Sequence, residues 1–171
     1  MIRFLPTKGK ILDLGCGEGR NSLYLAKQGF DVTAIDISKA AIERLEETSK
    51  KIGVKVHTNL QDISSLDFGL DWDAIISNTA LHLLRSENQN NVIAHMKFST
   101  KKAGINLITI FTKDDIGYKE FPELYFVNLE ELKNLYFDWN ILVAKMFTIN
   151  ETHGGPHSHH IAVLIAQKTN N

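Results

Sequence analysis

One cysteine in 171 residues, Cys16, excludes an internal disulfide framework and any zinc site built from several thiolates. Long apolar runs are missing too. None reaches the roughly 18 residues of a membrane span, and Met1 to Lys10 lacks the apolar stretch of a secretory signal. No charge sign dominates, since 19 Lys and Arg face 20 Asp and Glu for a formal net charge of -1. The basic footprint that neutralises a row of phosphates is therefore absent, which argues against a general nucleic-acid binder. Only three prolines interrupt the chain, and it holds no repeat, low-complexity tract or interdomain linker. What remains is an ordinary globular composition, 43% hydrophobic and 23% charged, long enough for one sizeable core. The expectation is a single cytoplasmic domain over residues 1–171 with a small-molecule partner and neither nucleic acid nor membrane; monomer and homodimer both stay open.

The pattern that is present alternates between two periods. Lys10 to Leu14, Asp31 to Ile35, Val54 to Thr58, Asp73 to Ser77 and Ile105 to Phe111 are short, apolar, β-branched runs that suit strands buried on both faces. Between them Arg20 to Gln28 reads as a helix closed by Gly29, with Leu23 and Ala26 on one side. Lys39 to Lys51 reads as a helix capped by Ser38 and stopped by Gly53, with an apolar stripe of Ile42, Leu45 and Ile52 and the pairs Glu46–Lys50 and Glu47–Lys51. Ser86 with Gln89 resembles a capping box opening a helix through Val92, Ile93 and Met96 to about Thr100, ended by Gly104. After a helix near Leu129 to Tyr136, Trp139 to Ile149 and His159 to Gln167 are two long strands joined by a loop with Gly154-Gly155-Pro156, and they pair antiparallel. The expected fold is α/β: a doubly wound, mostly parallel seven-stranded sheet with a C-terminal antiparallel hairpin.

The sharpest motif is Ile11-Leu12-Asp13-Leu14-Gly15-Cys16-Gly17-Glu18-Gly19-Arg20, where a strand ends in a glycine-rich turn and a helix begins. Gly15, Gly17 and Gly19 permit positive φ and leave room for a ligand against the backbone. A dinucleotide fingerprint would place its third glycine one residue later, so a pyrophosphate is disfavoured. Asp36 closes the second strand, where a carboxylate accepts both hydrogen bonds of a ribose diol. Asp62 follows the third strand and can accept from an adenine amino group while the Ile63 amide donates to the ring and Ile37 or Ile63 packs on its face. All these groups sit at carboxyl ends of neighbouring strands, where open α/β sheets bind ligands.

The run Asp13 to Asn21, with Asp36 and Asp62, resembles a class I methyltransferase, a Rossmann-like fold. Gly15 to Leu25, with Phe121-Pro122 and Glu151-Thr152-His153, is similar to the tellurite-resistance methyltransferase family. The resemblance implies S-adenosyl-L-methionine as cofactor, in-line methyl transfer to a small acceptor such as a tellurite- or selenite-type oxyanion, and a role for His153 in orienting or deprotonating that acceptor. Class members carry a helical segment before the first strand that covers the cofactor, whereas here about ten residues precede Ile11. The expectation is a native chain that is longer or, failing that, a more open pocket, weaker binding, or a cover supplied by a neighbouring subunit.

The cofactor set expected is Asp13, Gly15, Cys16, Gly17, Asp36, Ile37, Asp62, Ile63 and Asn78, with Arg20, Asn78 and His153 meeting the acceptor. Asp13 is read either as a water-mediated cofactor contact or as a tie for the loop. Cys16 is read as a loop filler rather than a nucleophile, and His82 as packed or solvent-facing rather than catalytic. Arg20 is read as a solvated first-turn residue or an anion contact. His153, His157, His159 and His160 crowd the final loop, but a glycine-proline loop offers no rigid frame for a metal, so they form a substrate-facing edge. The aromatic stretch Thr112 to Val127 is either a lid or a flap on the sheet edge. Two other functions fit the fold: a nicotinamide-dependent oxidoreductase and a noncatalytic adenosine-ligand sensor.

Overall fold

The chain enters its sheet at the centre, moves outward to one side, and returns to build the other. This computed structural model describes residues 2–65, 67, 69–152 and 157–170, the side chains of 86–90 and 151 excepted. The strands are β1 (Lys10–Leu14), β2 (Asp31–Asp36), β3 (His57–Leu60), β4 (Trp72–Asn78), β5 (Thr100–Phe111), β6 (Asn140–Glu151) and β7 (His157–Gln167), in the order β3-β2-β1-β4-β5-β7-β6. The first five are parallel, and β7 runs antiparallel between β5 and β6. The expected doubly wound seven-stranded sheet with its terminal hairpin is the observed one. Because the order reverses between β1 and β4, their carboxyl ends diverge and open a crevice.

Helices α1 (Arg20–Lys27), α2 (Lys39–Ile52), α3 (Ser86–Ser99), α4 (Ile116–Glu120) and α5 (Leu129–Leu135) complete the chain, with 3-10 turns at Ile2–Phe4, Ile63–Ser65 and Leu81–Leu83. Period-two alternation along the strands feeds two cores. Leu12, Leu14, Ile75, Ile108 and Leu164 pack with Val92, Ile93 and Met96 of α3 and Leu132 of α5. Ile11, Val32, Ala74, Ile76 and Leu107 pack on the opposite face with Leu25 of α1 and Phe30. Ile2, Phe4 and Leu5 join that second core.

Several local readings shift. The α1 face turned inward is Ser22 and Leu25 rather than Leu23, and α2 buries Ile42, Leu45 and Ser49 while Ile52 stays exposed. Ser38 caps α2 through Ala41 N as expected, but Glu46 bonds Thr58 across to β3, and the i,i+4 pair seen on α2 is Lys39–Glu43. β3 starts at His57 rather than Val54, since Val54 N still donates to Ser49 O in the helix cap. α3 takes Arg85 as its N-cap, so Ser86 is already helical, and it runs into β5 at Thr100 without a glycine stop. Lys168 Nζ donates to Lys97 O and Thr100 O, at 2.7 Å each, and satisfies the carbonyls that a C-terminal glycine turn would otherwise serve. Gly104 lies inside β5, where a Cβ would stand 2.9 Å from Lys101 O.

Candidate functional site

The turn between β1 and α1 is built by tying its amides to β2. Gly15 N and Cys16 N both donate to Ile35 O, at 2.8 and 3.0 Å. Gly17 N donates to Asp36 Oδ2 at 2.8 Å, Ser38 N donates to Asp36 Oδ1 at 2.8 Å, and Gly19 N donates to Cys16 O at 3.0 Å. The three glycines have φ of 69°, 54° and 81°, a region that side chains resist. Their reasons differ. A Cβ on Gly15 would meet Ala80 Cβ at 2.2 Å and one on Gly19 would meet Leu45 Cδ1 at 2.2 Å, whereas one on Gly17 would meet nothing within 4 Å. Gly15 and Gly19 are therefore small for packing, and Gly17 is the position that leaves room for a ligand.

The turn forms one wall of a cavity of about 610 Å³, a size usual for small-molecule sites. Gly15, Cys16, Gly17, Arg20, Asp36, Ile37, Asp62, Ile63 and Asn78 line it, so eight of the nine residues expected to hold the cofactor are brought together, joined by Arg20. Asp13 is the exception. It is buried beneath the turn, accepts from Ser22 Oγ at 2.6 Å, and ties α1 to β1 instead of facing the cavity. Burial raises its pKa to about 6, against the lowering effect of Ser22. Burial and the nearby Asp13 and Asp36 also push the Cys16 thiol up, which removes thiolate chemistry there.

Asp62 starts the 3-10 turn by accepting from Ser64 N through Oδ1 at 2.8 Å, and its Oδ2 carries no hydrogen bond among the described residues. Ile37 is 70% exposed at the cavity rim and Ile63 forms its floor at 8%. Two carboxylate acceptors, two apolar branched side chains and an open glycine together suit a ligand that carries hydroxyl or amino donors and a flat apolar ring.

Thr79, Leu83 and Leu84, which follow Asn78 on the side read as facing the substrate, and Asn21 of the glycine-rich run also line the cavity, whereas sequence reasoning missed Ser64, Ala80 and Arg85. Thr79 holds φ at 52°, unusual for a β-branched residue, and its N–H donates to Thr109 O at 2.8 Å. His82 is buried, as expected of a packed residue, and does not line the cavity. The aromatic stretch divides: Tyr125, Phe126 and Val127 are buried, with Tyr125 N bonded to His82 O and Leu84 O, while Phe121 stays half exposed. His153 lies outside the described residues. Among those described, no metal cluster is present and no helix is long and apolar enough to cross a membrane.

The sequence profile of the family described as "Tellurite resistance protein TehB" matches residues 4–159. The chain belongs to the TehB family. A Haemophilus influenzae relative, "Probable S-adenosyl-L-methionine-dependent methyltransferase TehB", is 38% identical over 133 residues, covering 78% of this chain and 46% of the relative. The chain thus spans about half the length of the curated TehB relatives it matches. The crystal structure of TehB from that organism superposes with a TM-score of 0.86 at 32% identity, over 95% of this chain and 58% of that one. A SAM-dependent methyltransferase structure from Methanosarcina mazei shares the fold at a TM-score of 0.83 and 22% identity, over 99% and 97% of the two chains.

Proposed function

We propose that the TehB-family cavity binds S-adenosyl-L-methionine and that the chain transfers its methyl group to a small acceptor. The observation that carries this reading is the fate of the turn amides. Gly15, Cys16, Gly17 and Gly19 all donate to protein acceptors, so the glycine amides of the turn are committed within the fold rather than offered to the pyrophosphate of a nicotinamide dinucleotide. The same turn presents Asp36, whose carboxylate retains lone pairs beside its two backbone donors to accept from a ribose diol. Asp62 Oδ2 and the Ile63 amide serve the adenine edge, and Ile37 and Ile63 close on its faces.

When bound, the cofactor supplies an electrophilic methyl group on a sulfonium. The chain's own task is to hold the acceptor in line with that methyl and to exclude water. Asn78 and Arg20 line the cavity and are the residues we assign to the acceptor, a role the family resemblance also gives to His153. The family's description favours a tellurite- or selenite-type oxyanion as acceptor, for which Arg20 supplies a charge-assisted hydrogen bond.

Calorimetric titration with S-adenosylhomocysteine and, in parallel, with NAD tests the reading. Saturable binding of the first alone, weakened about 10²-fold in Asp36→Ala by loss of charge-assisted hydrogen bonds, is expected. Binding of NAD instead would sink it. Tight S-adenosylhomocysteine binding with no methyl turnover on selenite, tellurite or thiols would favour the noncatalytic sensor.

A further inference from the structure

Three residues other than glycine hold a positive φ among those described: Asp71 at 68°, Ala103 at 59° and Thr79 at 52°. Thr79 is the one that lines the cavity, and the one branched at Cβ. A left-handed backbone crowds the Cβ of any L-residue, and branching there makes it rarer still. The fold needs the turn itself. Asn78 ends β4 in register with Thr109, and Thr79 N donates to Thr109 O at 2.8 Å. Ala80 is already buried against the glycine turn, where a Cβ on Gly15 would meet its Cβ at 2.2 Å. The chain must therefore reverse within one residue. Glycine would make the same turn without the crowding.

The side chain of Thr79 therefore needs a reason other than the turn, and the fold makes little use of it. Thr79 is half-buried, and the one hydrogen bond of its Oγ1 among the described residues is donated to the carbonyl oxygen of its neighbour Asn78, at 2.8 Å. Asn78 is exposed, so water would serve that carbonyl nearly as well. What remains against Thr79 is the cavity, which it lines together with Asn78 and Arg20. A hydroxyl has one hydrogen to give. With that hydrogen committed to Asn78 O, Oγ1 offers the cavity lone pairs only. The Asn78 carboxamide and the Arg20 guanidinium, whose side chains have no hydrogen-bond partner among the described residues, supply N–H donors to the same space.

We propose that Thr79 is a specificity residue of the acceptor site, its Oγ1 accepting a hydrogen bond from an oxyanion that still carries a hydrogen. The inference rests on the methyl-transfer reading. One acceptor and two sets of donors fit hydrogen selenite or its tellurium analogue. The O–H group donates to Thr79, the bare oxygens accept from Asn78 and Arg20, and the lone pair on the central atom is left for the methyl group. In the transfer that lone pair forms the bond to the methyl carbon, while the carbon–sulfur bond breaks with its electron pair left on sulfur. The hydrogen stays on its oxygen until the methylated product ionises to solvent. The fully ionised oxyanion has no hydrogen to offer and sets lone pairs against the lone pairs of Oγ1. Thr79 thus selects the protonation state of the acceptor.

Thr79→Val keeps the branched shape and removes the hydroxyl, Thr79→Ser keeps the hydroxyl, and Thr79→Gly relieves the crowding. Selenite is titrated by calorimetry into protein saturated with S-adenosylhomocysteine, on either side of the pH at which hydrogen selenite loses its last proton. On the acid side Thr79→Val should bind selenite about tenfold more weakly than the wild type, and Thr79→Ser should restore binding. On the alkaline side the deficit should vanish. Thr79→Gly should melt no lower than the wild type, because it adopts the turn without strain. Equal selenite affinity in Thr79→Val and wild type, an equal deficit on both sides, or a Thr79→Ser as weak as Thr79→Val would overturn the proposal. So would a Thr79→Gly that melts several degrees lower, since the side chain would then be structural. A loss of S-adenosylhomocysteine affinity in place of selenite affinity would put Thr79 on the cofactor and overturn it too, as would no selenite binding by the loaded wild type. Failure of the wild type to bind S-adenosylhomocysteine would instead remove the methyl-transfer reading, while the melting comparison still judges the turn on its own.

Discussion

Asp13 shows how one carboxylate changes meaning with depth. Its pKa of about 6 lies above the 3.8 of an unfolded aspartate, so the folded state binds the proton more tightly. The stability this provides is complete below about pH 4 and is lost as pH rises through 6, a difference of up to about 3 kcal/mol. Asp13→Asn is therefore expected to flatten the wild-type stability difference between those pH values, as read by urea melts along a pH series. The glycines make a second comparison at this scale. Gly17→Ala has open space but φ of 54°, so it should cost about 1–2 kcal/mol and weaken S-adenosylhomocysteine binding. Gly15→Ala meets Ala80 Cβ as well and should cost roughly 1–3 kcal/mol more in the same urea melts. A glycine-rich turn was legible from spacing alone. Which glycine leaves open space beside the turn was not, because that depends on Ala80 and Leu45, brought from distant parts of the chain.

Among elements, the junction of α3 with β5 is held by a buried polar relay. Asn106 Nδ2 donates to Tyr136 Oη at 3.0 Å, and Thr100 Oγ1 lies 2.7 Å from both Asn106 Oδ1 and Met96 O, all inside the core. Tyr136→Phe leaves the Asn106 donor without its partner and is expected to lower stability by about 1–3 kcal/mol in equilibrium denaturation. Helix and strand existence was readable from period and apolar runs, and β1 was placed to the residue. Ends were harder to read where a distant side chain did the capping. Lys168 serves the end of α3 from the far terminus, so no local glycine is needed and none marks the boundary. The edge strand β3 slid for a related reason: the α2 cap holds Val54, delaying pairing until His57.

The molecule as a whole should respond to its ligand as one cooperative domain, because the cavity draws on α1 and on the ends of β1, β2, β3 and β4. Saturation with S-adenosylhomocysteine at about 100 times its dissociation constant contributes about 2.7 kcal/mol, which should raise the melting temperature by roughly 5–10 °C in calorimetry. Asp36→Ala at the same concentration should show little of that rise. At this scale, order along the chain was enough to specify strand-helix alternation, a parallel sheet and its antiparallel finish, since period, turn residues and crossover handedness are local or general constraints. Asp36, Asp62 and the glycine turn were likewise legible, because all three occupy strand ends whose positions the alternation already sets. The burial of Asp13, the packing of Gly15 and Gly19, and the pinning of Thr79 by Thr109 were decided only by tertiary structure. Each depends on two segments, far apart along the chain, arriving at one depth in the fold, and solvent exposure and hydrogen-bond partners are properties of that arrival rather than of either segment.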